Sequence, residues 1–140
     1  MKKIKELSFV YFVGAIGYSL IEILWRGFTH WTMTLTGGAC FLFIYITNIK
    51  LKAARLWERC LVGSGIITTA EFCVGYVVNI VLKWNIWDYS SMHFNLMGQI
   101  CPLYSALWFA LCIPVGAIGK GIRKMFLKPH GAAVSISTKL

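Results

Sequence analysis

Residues 60–82 read CLVGSGIITTAEFCVGYVVNIVL and contain one charged side chain, that of Glu71. Three further apolar stretches, residues 7–26, 31–49 and 99–118, have a similar length. A helix needs about 20 apolar residues to cross the ~30 Å hydrocarbon core of a bilayer. The sequence therefore predicts an all-α membrane protein with four transmembrane helices.

Positive charges lie almost entirely on one side of these four stretches. Twelve of the 14 Lys and Arg residues lie before the first stretch, between the second and third, or after the fourth. Arg26 and Lys83 lie at the opposite boundary. By the positive-inside rule, both termini are expected in the cytoplasm.

The composition leaves no room for a soluble domain. The chain has 140 residues, of which 58% are hydrophobic, and a mean hydropathy of +0.68. We expect one membrane domain, residues 1–128, and a short cytoplasmic tail, residues 129–140. The net charge is +9, and the basic residues that produce it lie beside the apolar spans. Orientation of the protein in the membrane and attraction to anionic lipid explain them there, so no nucleic-acid partner is expected.

The sequence does not predict a metal site, a cofactor or a catalytic residue. Its five Cys and three His lack the spacing of metal ligands. No phosphate-binding loop, GxSxG or HExxH motif is present. The cysteines are interpreted as small residues that pack between helices.

Aromatic and small residues add detail to the topology. Residues 83–95 are too polar to span a membrane and too aromatic for a free loop, so we expect a segment that lies in the outer interface. Gly37 and Gly38 in the second helix should allow another helix to approach closely. Trp108 falls in the middle of the fourth helix and is interpreted as a packing residue. Tryptophans occur at the predicted boundaries, as in the aromatic belts of membrane proteins: Trp25, Trp31, Trp57, Trp84 and Trp87.

Two carboxylates fall where lipid disfavours charge. Glu71 is near the middle of the third stretch and has no Lys or Arg within reach on its own helix. It must be neutralised by another helix, by water or by a proton. It is either a proton, cation or ligand site, or a protonated structural residue. Glu22 precedes Arg26 by one turn, which predicts an ion pair or half of a polar site.

The topology brings the polar residues of the outer half together above Glu71. A bundle closed around them would hold a polar pocket that opens outward and binds a small polar solute or ion. The predicted pocket residues, besides Glu71, are Glu22, Arg26, Asn79, Trp84, Trp87, Asp88, Tyr89, Asn95 and Gln99.

Three motifs carry a family resemblance. They are the Glu…Gly…Asn run at residues 71–79, Trp-Asp-Tyr-Ser at 87–90 and Phe-Asn-Leu…Gly-Gln-Ile at 94–100. Together with the Glu22 helix, residues 30–41 and the tail at 128–130, they resemble the CmpB-like, ABC-transporter type IV family of small bacterial membrane proteins. The resemblance covers nearly the whole chain. It implies a multi-pass protein of the bacterial cytoplasmic membrane, and an ABC role would require a separate ATPase that docks on residues 50–59.

Three functions stay open at this point. The first is a permease-like protein, for which four helices are few, so that a homodimer is expected. The second is an enzyme that acts on lipid headgroups at the outer face. The third is a non-catalytic accessory subunit that packs on a larger membrane protein through Gly37 and Gly38 or through the basic loop.

Overall fold

The computed structural model describes residues 2–127, which form four long helices. Each helix is long and apolar enough to cross a membrane, which confirms the predicted all-α fold with four spans. The predicted cytoplasmic tail lies outside the described residues, and the orientation of the termini stays a prediction. The helices are α1 (Lys2–Arg26), α2 (Trp31–Lys50), α3 (Leu56–Gly75, continued by the π-helical turn Tyr76–Val81) and α4 (Pro102–Leu127).

The predicted start and end of α4 were wrong. The helix begins at Pro102 instead of Gln99 and continues to Leu127 instead of Ile118. Proline lacks a backbone N–H and has a helical φ, so it suits the first helical position. It also disfavours a helical conformation at the preceding residue, Cys101. Gln99, the first residue of the predicted stretch 99–118, therefore belongs to the connecting segment 82–101.

Helix α3 is longer than its apolar stretch. It begins at Leu56, four residues before the predicted start, and Glu58 in its first turn favours a helix there. The π-helical turn ends with the Leu82 N–H donating to the Val77 carbonyl at 2.9 Å. Such turns are rare in proteins, and those that occur are often found at functional sites.

Glycines bring α1 and α2 together, as predicted. A Cβ atom on Gly37 would collide with the Tyr18 side chain, and one on Gly38 would lie 2.8 Å from the Tyr11 ring. Both glycines are buried against α1 of the same chain. A partner therefore has no access to Gly37 and Gly38 unless α1 moves away, and the structure does not support docking through them.

The bundle consists of two helix pairs. Helix α1 packs mainly on α2, and α3 mainly on α4, whereas α1 and α4 contact each other little. One core cluster lies between the pairs and contains Cys40, Ile44, Cys60, Ile67 and Cys112. All five cysteines are free, and four of them are buried, in agreement with their interpretation as packing residues.

An ion pair joins the first helix to the last. Arg123 donates to Glu6 at 2.8 Å, and the Tyr45 hydroxyl donates to the same carboxylate oxygen. We call this end of the bundle the terminal face, because α1 starts and α4 ends there. The opposite end, which carries residues 27–30 and 82–101, is called the loop face.

Candidate functional site

Glu71 is buried near the middle of the span Leu56–Val81. Its two oxygens accept hydrogen bonds from the indole N–H of Trp108, at 2.7 Å, and from the hydroxyl of Tyr89, at 3.0 Å. It forms no ion pair with any residue in the range 2–127. Glu71 therefore receives neutral donors from α4 and from the connecting segment.

Trp108 packs against the core cluster, as interpreted, but its hydrogen bond to Glu71 was not predicted. An indole N–H inside a membrane span needs an acceptor, since lipid offers none. That requirement, together with a carboxylate on the neighbouring span, was the available signal. The spacing of residues along the chain could not show that the two groups meet, because they are 37 positions apart.

Aromatic rings surround the Glu71 carboxylate. Tyr104 stacks on Tyr89, with ring centroids 4.6 Å apart and planes inclined by 10°. Trp108 lies between Tyr104 and Tyr18, at centroid distances of 6.2 and 6.3 Å. Tyr18 and Tyr104 were not among the predicted site residues, because a tyrosine in an apolar helix carries no distinctive pattern.

The predicted ion pair between Glu22 and Arg26 is confirmed. The Arg26 Nε atom lies 2.7 Å from Glu22 Oε2, on the same face of α1. A second nitrogen, Nη1, donates to the Ile86 carbonyl at 3.2 Å. Arg26 therefore links the end of α1 to the segment that follows α3.

A cavity of about 230 Å³ lies between α1 and α4 and reaches both carboxylates. It meets a second cavity of about 270 Å³, nearer the terminal face, at Glu71 and Tyr18. Most of the wall of the first cavity is aliphatic or aromatic. Its charged residues are Glu22, Glu71 and Arg26. The aromatic and charged residues that line the first cavity are Tyr18, Glu22, Trp25, Arg26, Glu71, Trp87, Tyr89, Tyr104 and Trp108.

Segment 82–101 folds over the loop-face end of α3. Asn79 donates to the Gln99 side chain at 2.8 Å and accepts from the Ile86 N–H at 2.7 Å. Trp87 donates to the Gln99 carbonyl at 3.0 Å. Trp87 and Gln99 also fill the space beside Gly75, where a Cβ would lie only 2.8 Å from the Trp87 ring. Asn79 and Gln99 thus hold the segment and do not line the cavity.

Asp88 and Asn95 stabilise the outer part of this segment. Asn95 donates to the Met92 carbonyl at 2.8 Å and accepts from the Gly98 N–H at 2.9 Å. The Asp88 carboxylate accepts from the Ser90 N–H at 2.9 Å, and hydrogen bonds from Ser90 lower the pKa of Asp88. Both residues lie outside the cavity wall.

The ten predicted site residues therefore lie in four different places. Glu22, Arg26, Glu71, Trp87 and Tyr89 line one cavity. Asn79 and Gln99 hold the segment above it, and Asp88 and Asn95 order its exposed part. Trp84 lies at the loop face, where its ring is 6.1 Å from that of Trp31. Among residues 2–127, no group of His, Cys, Asp or Glu could hold a metal ion.

Fold and site define a class of protein: a multi-pass membrane protein that holds carboxylates between its helices. Residues 7–136 match the model of the family described as "Putative ABC-transporter type IV". The chain belongs to this family, and it is a membrane transport-related protein. No curated protein and no solved structure matches it significantly.

Proposed function

We propose that this protein binds a small organic cation at Glu71 and carries it across the membrane. One observation carries the proposal: a buried carboxylate faces an aromatic cavity and has no cationic partner among residues 2–127. A charged group inside a span is costly unless it is neutralised. A bound cation or a proton would each neutralise Glu71, so the two can compete for one site.

The wall of the cavity favours an organic cation over a hydrated metal ion. The faces of Trp and Tyr rings attract cations, by about 2 kcal/mol or more where water is excluded. Trp108, Tyr104 and Tyr18 lie close to one another beside Glu71. The remaining wall is largely aliphatic, which suits the apolar body of such a ligand and offers few oxygens to replace bound water.

The gap between α1 and α4 supports an entry route from the bilayer. Ile21, Trp25 and Leu107 line the cavity and are 42%, 71% and 43% exposed. Because they lie in membrane spans, their exposed surfaces face lipid or a second chain. We therefore propose lateral access from the hydrocarbon, with the protein in the bacterial cytoplasmic membrane. The homodimer and the separate ATPase stay predictions.

The test uses the full chain in proteoliposomes with tetraethylammonium, a small cation that crosses lipid poorly by itself, as the probe. Wild type is compared with Glu71→Gln, which keeps the shape of the side chain and removes its charge. We expect the variant to lose cation binding, measured by tryptophan fluorescence, and cation-dependent flux. Normal binding and flux in Glu71→Gln would contradict the proposal.

Glu58→Gln is the matched control. It removes the same charge from the first turn of α3, outside the cavity between α1 and α4. We expect it to bind and transport like wild type. Circular dichroism and thermal unfolding in detergent establish that each variant is folded. If both variants lose flux equally, overall charge and not Glu71 controls the process.

A further inference from the structure

A third cavity of about 300 Å³ opens at the terminal face, between α2, α3 and α4. We call it the basic cavity. Its inner wall shares Phe41, Ile44 and Val115 with the second cavity. The rim of the basic cavity carries five cationic residues and its lining contains no carboxylate. The cationic residues are Lys52, Arg59, Lys120, Arg123 and Lys124, and the amide of Asn48 lies in the same wall.

Two arginines of the basic cavity differ in whether a hydrogen-bond partner is present. Arg123 is held by Glu6 at 2.8 Å. The Nε atom of Arg59 is buried and has no hydrogen-bond partner among residues 2–127. A buried donor without an acceptor costs about 1–3 kcal/mol, so folded proteins rarely keep one unless a ligand or water supplies the acceptor.

Membrane orientation explains cations at this face but not their convergence. Lys3, Lys5, Lys50 and Arg55 are exposed at the same face and lie outside the basic cavity. The positive-inside rule depends only on the side of the membrane at which a cation lies, and not on the direction of its side chain. Five cations around one cavity repel one another, and an anion between them offsets that repulsion.

We propose that the basic cavity binds a phosphate group. Guanidinium and ammonium groups together suit a phosphate, since arginine supplies a planar pair of donors and lysine a compact charge. The deeper wall is apolar and includes Phe41, Ile44 and Val115. That chemistry accepts the phosphate either of a phospholipid headgroup or of a soluble anion. Its cationic residues lie at the terminal face, whereas Glu71 lies near the middle of the span Leu56–Val81, and the site does not depend on the proposed function.

The experiment measures binding to the full-length protein purified in a neutral detergent. One arm titrates inorganic pyrophosphate and follows the thermal unfolding midpoint. The other arm adds phosphatidylglycerol or, at the same concentration, phosphatidylcholine, and counts retained lipid by native mass spectrometry. Saturable pyrophosphate binding identifies a soluble phosphate ligand, and selective retention of phosphatidylglycerol identifies a lipid headgroup.

The key comparison is between two double variants that remove the same charge from the same face. Arg59→Gln with Lys120→Gln alters the basic cavity, whereas Lys50→Gln with Arg55→Gln alters exposed cations outside it. Because charge-assisted hydrogen bonds are among the strong ones, we expect the cavity variant to bind at least about tenfold more weakly. The control should stay within about twofold of wild type, as screening weakens exposed charges.

Two results would overturn the proposal. One is equal loss of binding in both double variants, since general electrostatic attraction would then account for it. The other is no saturable binding of either probe to wild type. If the Arg59 variant does not fold, Lys120→Gln with Lys124→Gln repeats the test, because both side chains lie on α4 and are exposed.

Discussion

The terminal face and the middle of the bundle satisfy their carboxylates in different ways. At the terminal face, Glu6 receives the guanidinium of Arg123 and the hydroxyl of Tyr45, from α4 and α2. Deeper in the bundle, Glu71 receives only neutral donors among the described residues, Trp108 and Tyr89. Glu22 lies between these cases, since its arginine partner is on its own helix.

The difference follows from the cost of burying charge. A cation near a membrane surface keeps contact with water and headgroups, whereas one at the centre of a span loses both. Trp and Tyr donate a hydrogen bond without carrying a charge into hydrocarbon. Glu71 is thereby held in place without an ion pair among the described residues, which leaves its charge for the ligand or proton that we propose, whereas Glu6 joins helices.

The largest effect is expected at Glu6. Glu6→Ala leaves Arg123 and Tyr45 without their shared acceptor and removes the ion pair that joins α1 to α4. We expect a loss of about 2 kcal/mol in the free energy of unfolding in detergent, below the range for fully buried pairs because Arg123 is 37% exposed. Equilibrium unfolding followed by circular dichroism measures it.

Glu22→Ala provides the matched comparison. Its pair lies within one helix, and such pairs contribute about 0.3–0.5 kcal/mol when exposed. We expect a loss below about 1 kcal/mol, since Glu22 is buried but joins no second helix through this pair. If the two variants lose equal stability, the terminal pair does not hold α1 and α4 together.

Glu6→Ala should also tighten pyrophosphate binding, because Arg123 becomes available to the basic cavity.

A smaller effect is expected at Asn79. Asn79→Ala removes hydrogen bonds to Gln99 and to the Ile86 N–H, which together hold segment 82–101. We expect a loss of about 1 kcal/mol and faster hydrogen exchange at Ile86, with exchange in α1 and α2 unchanged. Ser91→Ala, at an exposed turn of the same segment, is the control. Unchanged exchange at Ile86 in the Asn79 variant would show that other contacts hold the segment.

The smallest effect is expected from Asp88. Hydrogen bonds from Ser90 lower its pKa below the usual value of 3.8, so its contribution to stability is present above that pH. The contribution is lost as the pH falls through the lowered value. We expect the wild-type unfolding temperature to decline slightly more than that of Asp88→Asn between pH 4 and pH 2, about the range of this titration. A parallel decline in both proteins would argue against this role for Asp88.

Sequence reasoning predicted several residues of the candidate site because each polar residue in a span needs a partner. It located Glu71, the Glu22–Arg26 pair and the segment that contains Trp87 and Tyr89. It missed Trp108, Tyr104 and Tyr18, since aromatic residues are common in apolar helices whether or not they serve a site. It also missed the basic cavity, because cations beside a span already have a topological reason.

The sequence by itself determined that the chain forms four spanning helices, since length and apolarity suffice to specify them. It also determined where polar side chains would need partners, because lipid supplies none. Only the tertiary structure decided which partners they found. Those contacts join residues as distant as Glu6 and Arg123, 117 positions apart, and they depend on how helices pair. Helix α1 packs on α2 and helix α3 packs on α4. Because α1 and α4 contact each other little, a cavity lies between them.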